Sequence, residues 1–524
     1  MNETHFAIEV FIILLLVASG VAMAAKWVRV PYTLMLVMVG IVLSFVHFDF
    51  LPQVHISPEL ILLIFLPALL FEAAWNLKVH HLRENLLPIL LLATLGVGLS
   101  VAIIGLVLVK GLHLSWPTAL LFGAMISATD PVSVLALLRK LNLPSRLMTI
   151  VEGESLLNDG TAVVVFRIIL TIAAGSSIDS SGSLLLSSLK EFALVVFGGV
   201  AVGAIIGLVA STLTSYFDDH LLEITLTTIA AYGSFLLAEA LHVSPVMAVL
   251  ATGLIIGNYG RQVGMSPTTQ VAVNSFWEYA AFVVNSLVFL LIGLEVQISD
   301  LLANNLSVSL AVLAMLAARL AAVYGLSWVT NRFAAPIPGP WQHILFWGGL
   351  RGSLSIALVL SLPKDLPDRS LLVTMIFGSI VFSLLVQGLT MSPLLRWLKL
   401  TRLDTQLKEY ELLQSQLLAE SSALAELHNL RAQGRLTERI YESIRKEVSA
   451  AHEALSERMA GLESTDRALE QQLRRRIHHH LTDVKKGRLR ELMQEGMLSE
   501  STFRELSRQL DQREAVQPDT LPRE

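Results

Sequence analysis

The segment VEGESLLNDGTAVVVF, residues 151–166, holds the densest set of oxygen-bearing side chains in an otherwise apolar part of the chain. Helical spacing places side chains four apart on one face, so Ser155 and Asp159 share one polar face while Glu154 and Asn158 share another. A carboxylate and a hydroxyl on one surface are hard oxygen ligands, the type sodium accepts in place of water. Glu154 points elsewhere and needs a partner. Arg319 is the candidate and Arg351 the competing one, because a buried carboxylate against a fixed guanidinium avoids most of the cost of either charge alone.

Two further segments carry ionisable groups where apolar residues dominate. In FGAMISATDPVSVLALL, residues 122–138, Pro131 removes a helical hydrogen bond directly after Thr129 and Asp130. That spacing predicts a broken helix, and a simple kink has no need of a carboxylate. In FWGGLRGSLSIALVLSLP, residues 346–363, Gly348, Gly349 and Gly352 surround Arg351 and predict a second break. Where two broken helices cross, half-helix N-termini present positive ends and C-termini negative ones, so Asp130 is expected to balance the former and Arg351 the latter. A hydrolase is unsupported: Gly153, Glu154 and Ser155 resemble the start of a nucleophile elbow, but Leu157 stands where that turn requires glycine. No phosphate-binding loop occurs, so an ATPase is unsupported too, and no enzymatic activity is expected.

These residues require apolar elements to carry them. The chain of 524 residues is 54% hydrophobic and only 15% charged, and 42 of its 81 Asp, Glu, Lys and Arg residues follow Leu400. It therefore divides into an apolar body, 1–400, and a charged tail, 401–524. A bilayer core of about 30 Å takes roughly 20 apolar residues per helix. Thirteen such stretches precede Leu400, at 7–25, 30–46, 57–75, 85–109, 115–138, 148–174, 184–214, 221–240, 243–259, 272–296, 305–330, 341–361 and 370–398. The first is taken as a span rather than a signal peptide, since Glu3 and Glu9 stand where a basic region belongs.

Ionisable residues within these spans include Asp130, Glu154, Asp159, Arg167, Arg319 and Arg351, along with Glu72, Glu239, Glu278 and Glu295. Charge at membrane depth costs several kcal/mol, so each is a functional candidate. Basic residues from Lys26 and Arg29 through Arg139, Lys140 and Arg146 to Arg396 and Arg402 fall on one side of the predicted topology. Only Lys110, Lys190, Lys364 and Arg369 fall opposite. The N-terminus is thus expected outside and the tail in the cytoplasm, with an acidic turn at Phe217, Asp218 and Asp219 as the exception. The tail reads as soluble helices, with a basic and histidine run at 474–480 and a disordered end. No basic stripe suits nucleic acid, and the absence of cysteine excludes disulfides and thiolate metal sites.

The combination ATDPVSVLALL, EGESLLNDGTA and GGLRGSLSIAL, in this order and spacing, resembles the cation:proton antiporter-1 family, the sodium/proton exchangers of the NhaP and animal NHE type. The resemblance covers essentially the whole body. It implies an all-α polytopic membrane protein with thirteen spans and an inverted repeat built on two broken crossing helices. It also implies a homodimer, an elevator-like movement, cation ligation by Asp159, Ser155 and Thr129, and a structural ion pair between Glu154 and, of the two arginines, Arg319. Asp130 is then the acid of the crossing helices.

Electrogenic relatives of the wider fold carry two adjacent acids where this chain has Asn158 followed by Asp159. A single carboxylate exchanges one proton for one sodium or lithium ion, and the exchange is expected to be electroneutral. The expected setting is a cytoplasmic membrane with its lipid, and no cofactor or stably bound metal is implied. Potassium in place of sodium is the near alternative, and a gated cation channel or sensor the more distant one.

Overall fold

The computed structural model describes residues 3–25, 27, 31–45, 59–141, 143–173, 184–216, 219–398, 400, 402–433, 435–465 and short stretches between 481 and 510. Among these residues the regular secondary structure is all helical, with no strand. The chain forms two units, Met1–Leu398 and Lys399–Glu524.

Among the described residues of the first unit, eight helices are long and apolar enough to cross a membrane: Leu86–Leu112, Trp116–Lys140, Ser145–Ala173, Lys190–Thr214, His220–Ala240, Thr268–Glu295, Asn305–Phe333 and Arg369–Trp397. Shorter apolar helices lie at Glu9–Ala25, Tyr32–Ser44, Leu60–Asn76 and Pro245–Gly260. A further apolar stretch is divided into Gly339–Trp347 and Ser353–Leu360. The protein is thus a multi-pass membrane protein. Large apolar side chains such as Leu194, Phe197, Ile205 and Leu313 stand exposed on it. In lipid such surface has no need of burial, and backbone groups are satisfied within each helix.

Sequence and packing agree most closely where small residues let backbones meet. A Cβ on Gly203 would lie 2.0 Å from the Ala248 carbonyl oxygen, and one on Gly199 2.4 Å from that of Ser244. The glycine ladder Gly199, Gly203 and Gly207 therefore packs internally, against the Pro245–Gly260 segment. Among the described residues four membrane segments carry a π-helical turn, at Leu60–Phe65, Leu91–Leu95, Ile256–Gly260 and Ser383–Gly388. Each such turn inserts one residue and shifts the faces of its helix.

Arg167, Glu239 and Glu278, which the sequence places among the candidates within the spans, lie exposed on their helices. Helix position alone does not tell which side faces inward. Asp219 caps the His220–Ala240 helix by accepting from the amides of Leu221 and Leu222, whereas Phe217 and Asp218 of the same turn lie outside the described residues.

The second unit contains Arg402–Ala432 and Glu438–Thr465, two long helices that pack on each other. Their junction is held by Arg431, which meets Glu438 at 2.9 Å and stands over the buried Tyr441 ring at 4.3 Å. The run at 474–480 and the C-terminal segment lie outside the described residues.

Candidate functional site at the crossing of two broken helices

The first break separates Trp116–Ser127 from Val132–Lys140, and the second separates Gly339–Trp347 from Ser353–Leu360. The two breaks meet: the Asp130 amide donates to the Leu350 carbonyl at 2.8 Å. Each interruption frees backbone groups that apolar surroundings cannot satisfy. Most of the polar side chains near the crossing attend to those groups.

Arg351 is 4% exposed and does not reach an interface. Its guanidinium donates to the carbonyls of Ser127 at 3.0 Å and Ala128 at 3.1 Å, the C-terminal end of the first half-helix. The cation thus sits where the helix dipole is negative. Asp130 does the converse. Its Oδ1 accepts from the Val132 amide at 2.9 Å, at the N-terminus of the following half-helix. Its carboxylate also lies against Gly352, where a Cβ would come within 2.5 Å of Oδ2. Glycine at 352 is therefore what lets the acid of one break approach the start of the other's second half.

Arg319 makes the fork expected of a buried bidentate pair, with NH1 donating to Glu154 Oε1 at 2.6 Å and NH2 to Oε2 at 2.9 Å. It has a second task that the sequence gives no hint of. Nε and NH2 also donate to the Leu345 carbonyl, at 3.2 and 2.9 Å, near the end of the Gly339–Trp347 half-helix. Each C-terminal half-helix end at the crossing is thus held by its own arginine. A cavity of about 10 Å³, room for roughly one water, lies beside this pair and is bordered by Thr129, Glu154, Arg319 and Gly349.

Helix Ser145–Ala173 brings the remaining residues together. Asn158 faces Glu154 as its spacing predicts, its amide donating to Glu154 Oε1 at 3.3 Å and to Thr129 Oγ1 at 2.7 Å, while its Oδ1 accepts from the Thr129 amide at 3.4 Å. The Ser155 hydroxyl donates to the Thr129 carbonyl. Asp159 differs from all of these. Its Oδ1 is buried with no hydrogen-bond partner, although the residue as a whole is only half-buried. The charged groups that act on it are Asp130, Glu154 and Arg351, and the Thr129 amide is the backbone donor beside its carboxylate. Two residues that the sequence reading passed over also stand at the crossing. The hydroxyls of Thr33 and Ser133 hydrogen-bond each other in a buried contact, joining the Tyr32–Phe45 helix to the half-helix that follows Pro131.

The family model for the sodium/hydrogen exchanger, transmembrane, matches residues 11–397. The chain belongs to that family. Within the sodium/hydrogen exchangers it is 41% identical over 505 residues to the Na(+)/H(+) antiporter ApNhaP of Aphanothece halophytica, an alignment covering 95% of this chain and 91% of that protein. It is 42% identical over 439 residues to the low-affinity Na(+)/H(+) antiporter NhaS1 of Synechocystis, covering 82% of each. Among solved structures, the sodium proton antiporter MjNhaP1 from Methanocaldococcus jannaschii at pH 8 superposes with a TM-score of 0.62 at 19% identity, over 75% of this chain and 98% of that one. That likeness is one of exchanger fold.

Proposed function

We propose that this protein exchanges sodium, or lithium, for protons across a cytoplasmic membrane, with Asp159 as the carboxylate that holds either guest. The observation that carries this is the lone buried Oδ1 of Asp159 amid groups that are all engaged: Glu154 with Arg319, Arg351 with two carbonyls, Asp130 with an amide. A charged oxygen withdrawn from water without a donor demands a proton or a metal ion. Ser155 spends its hydrogen on the Thr129 carbonyl, which leaves its lone pairs for a cation, and the Thr129 hydroxyl supplies a third oxygen. Asp130 and Arg351 keep the half-helix ends neutral beside the site, and Asn158 holds Thr129 in place.

With Glu154 neutralised by Arg319 and Asn158 uncharged, one free carboxylate remains to trade one proton for one sodium. The cycle is therefore electroneutral. Alternation follows an elevator-like movement of the site-bearing helices against the rest of a thirteen-span inverted-repeat body, in a homodimer. The N-terminus lies outside, and residues 401–524 form a cytoplasmic regulatory tail.

Everted vesicles test the assignment directly. Asp159→Asn is expected to insert at the normal level yet fail to collapse a pH gradient on addition of sodium. An imposed membrane potential is expected to leave the wild-type rate unchanged. Normal exchange by the variant removes Asp159 from its role, clear voltage acceleration overturns the single-carboxylate stoichiometry, and a stronger response to potassium than to sodium replaces the cation.

A further inference from the structure

We infer that Arg146 is a positioning residue for the exchange site, acting from the far end of the helix that carries Glu154 and Asp159. It is the second residue of Ser145–Ala173, and its guanidinium gathers three separate segments. Nε donates to Asn85 Oδ1 at 2.7 Å, NH1 to the Pro336 carbonyl at 2.9 Å and NH2 to the Ala335 carbonyl at 2.7 Å. The same group stands 5.6 Å from the centre of the Trp341 ring. Asn85 is 3% exposed and sits just before the Leu86–Leu112 span, where its amide also donates to the His81 carbonyl.

The turn that Arg146 holds is the one through which the second broken helix is entered. It links Asn305–Phe333, which bears Arg319, to Gly339–Trp347, which bears Leu345. The turn is fixed from within as well: the amide of the buried Ile337 donates to Asn331 Oδ1 at 2.7 Å, and Gln342 donates to the Ile337 carbonyl at 2.9 Å. Arg146 therefore grips a defined object. A planar guanidinium reaches three acceptors at once in a way that a lysine ammonium does not.

The consequence lies in the spacing. Arg146 precedes Glu154 by eight residues, about 12 Å along a helix, and Trp341 precedes Leu345 by four, about 6 Å. The same helix is thus tied to the same half-helix and its entry turn at two levels. The outer tie is Arg146 with Ala335, Pro336 and Trp341, and the inner one is Glu154 with Arg319 and the Leu345 carbonyl. The inner tie and the Ser155 and Asn158 bonds to Thr129 all fall within about one turn of Ser145–Ala173 and hold it at a single level, with Asp159 five residues, about 7.5 Å, beyond Glu154. The outer tie, about 12 Å away, supplies the lever arm against tilting. Two ties fix both the tilt and the rotation that aim Asp159 and Ser155 at Thr129.

This inference rests on the reading of Asp159 as the exchange site, and it is tested on the full chain in proteoliposomes. Half-saturating sodium concentration and the pH profile are measured per amount of inserted protein for Arg146→Gln, Arg146→Lys and Asn85→Ala. Arg146→Gln is expected to raise the half-saturating concentration several-fold and to displace the pH profile. Arg146→Lys recovers part of the loss, because it satisfies one carbonyl, and Asn85→Ala moves both readouts in the same direction but less. Variants with wild-type half-saturation and pH profile, however much less protein they yield, overturn the inference. Should Arg146→Gln not fold, an unchanged Asn85→Ala does the same. Absence of sodium-dependent proton flux in the wild type would instead sink the exchanger reading itself.

Discussion

The two broken helices reach the same crossing by opposite means. In the first, a proline withholds an amide, and short side chains close by attend to the break: Asp130 accepts from the Val132 amide, while Ser155 and Asn158 of the adjacent helix donate to the carbonyl and hydroxyl of Thr129. In the second, glycines leave open space that long side chains fill from a distance: a Cβ on Gly349 would lie 2.8 Å from Nε of Arg319. The two then exchange services. Arg351, from the second break, holds the C-terminal carbonyls of the first, while Asp130, from the first, lies against the residue that opens the second's outgoing half. Neither break satisfies itself, so the crossing forms as a unit. Buried polar networks of this kind are costly when one member is missing.

The largest expected effect comes from removing a member whose partner stays buried. Glu154→Ala leaves the Arg319 guanidinium, which is 9% exposed, buried without its counterion and bonded only to the Leu345 carbonyl. Breaking a buried pair in this way costs about 3–5 kcal/mol. The purified variant is expected to melt well below the wild type. Asp159→Asn, which removes a charge that has no hydrogen-bond partner on its buried oxygen, is expected to melt no lower than the wild type. If both variants lose equal stability, the contrast between a structural acid and a free one falls.

A smaller effect is expected where the breaks touch. Gly352→Ala puts a Cβ within 2.5 Å of the Asp130 carboxylate and forces it from the Val132 amide or from the crossing. Displacements near 1 Å at a reacting group can cost up to ~100-fold in rate. Exchange by this variant is expected to fall by at least about ten-fold while the protein still inserts. Gly339→Ala, where a Cβ meets nothing within 4 Å, serves as the control and should exchange normally. Equal rates for the two variants would mean that Asp130 does not depend on its seat against Gly352.

How much of this could be read from the residues alone differs between the two breaks in the same way. Pro131 and the cluster Gly348, Gly349 and Gly352 announce their interruptions, because proline and glycine act on the backbone locally. The polar face of Ser155 and Asp159 is equally legible, since helical period alone puts them together. The choice between Arg319 and Arg351 for Glu154 is not: it depends on how helices far apart in sequence lean on one another. The hold of Arg319 on Leu345 and the Thr33–Ser133 contact are hidden for the same reason. The exposure of Arg167 is not legible either, because a helix apolar on nearly every side carries little sign of which side meets lipid. The four π-helical turns compound this by shifting the faces within a helix.

The smallest effect is expected at the residue that most plainly marks a break. Pro131 bears no amide, so alanine there restores a donor and, in principle, the option of a continuous helix. What opposes continuity is everything else at the crossing: the Asp130 amide is committed to Leu350, the carbonyls of Ser127 and Ala128 are held by Arg351, and the next half-helix already starts with Leu135 donating to the Pro131 carbonyl at 2.7 Å. Closing the helix would give up these bonds for the few that a continuous helix would supply. Pro131→Ala should therefore keep the break, lose about 0.4–1 kcal/mol through the freer unfolded chain, and exchange close to the wild-type rate. Melting temperature and vesicle exchange measured on the same preparation check both parts. Abolished exchange with stability raised would mean that the helix had closed, and that proline, not the opposing break, keeps it open.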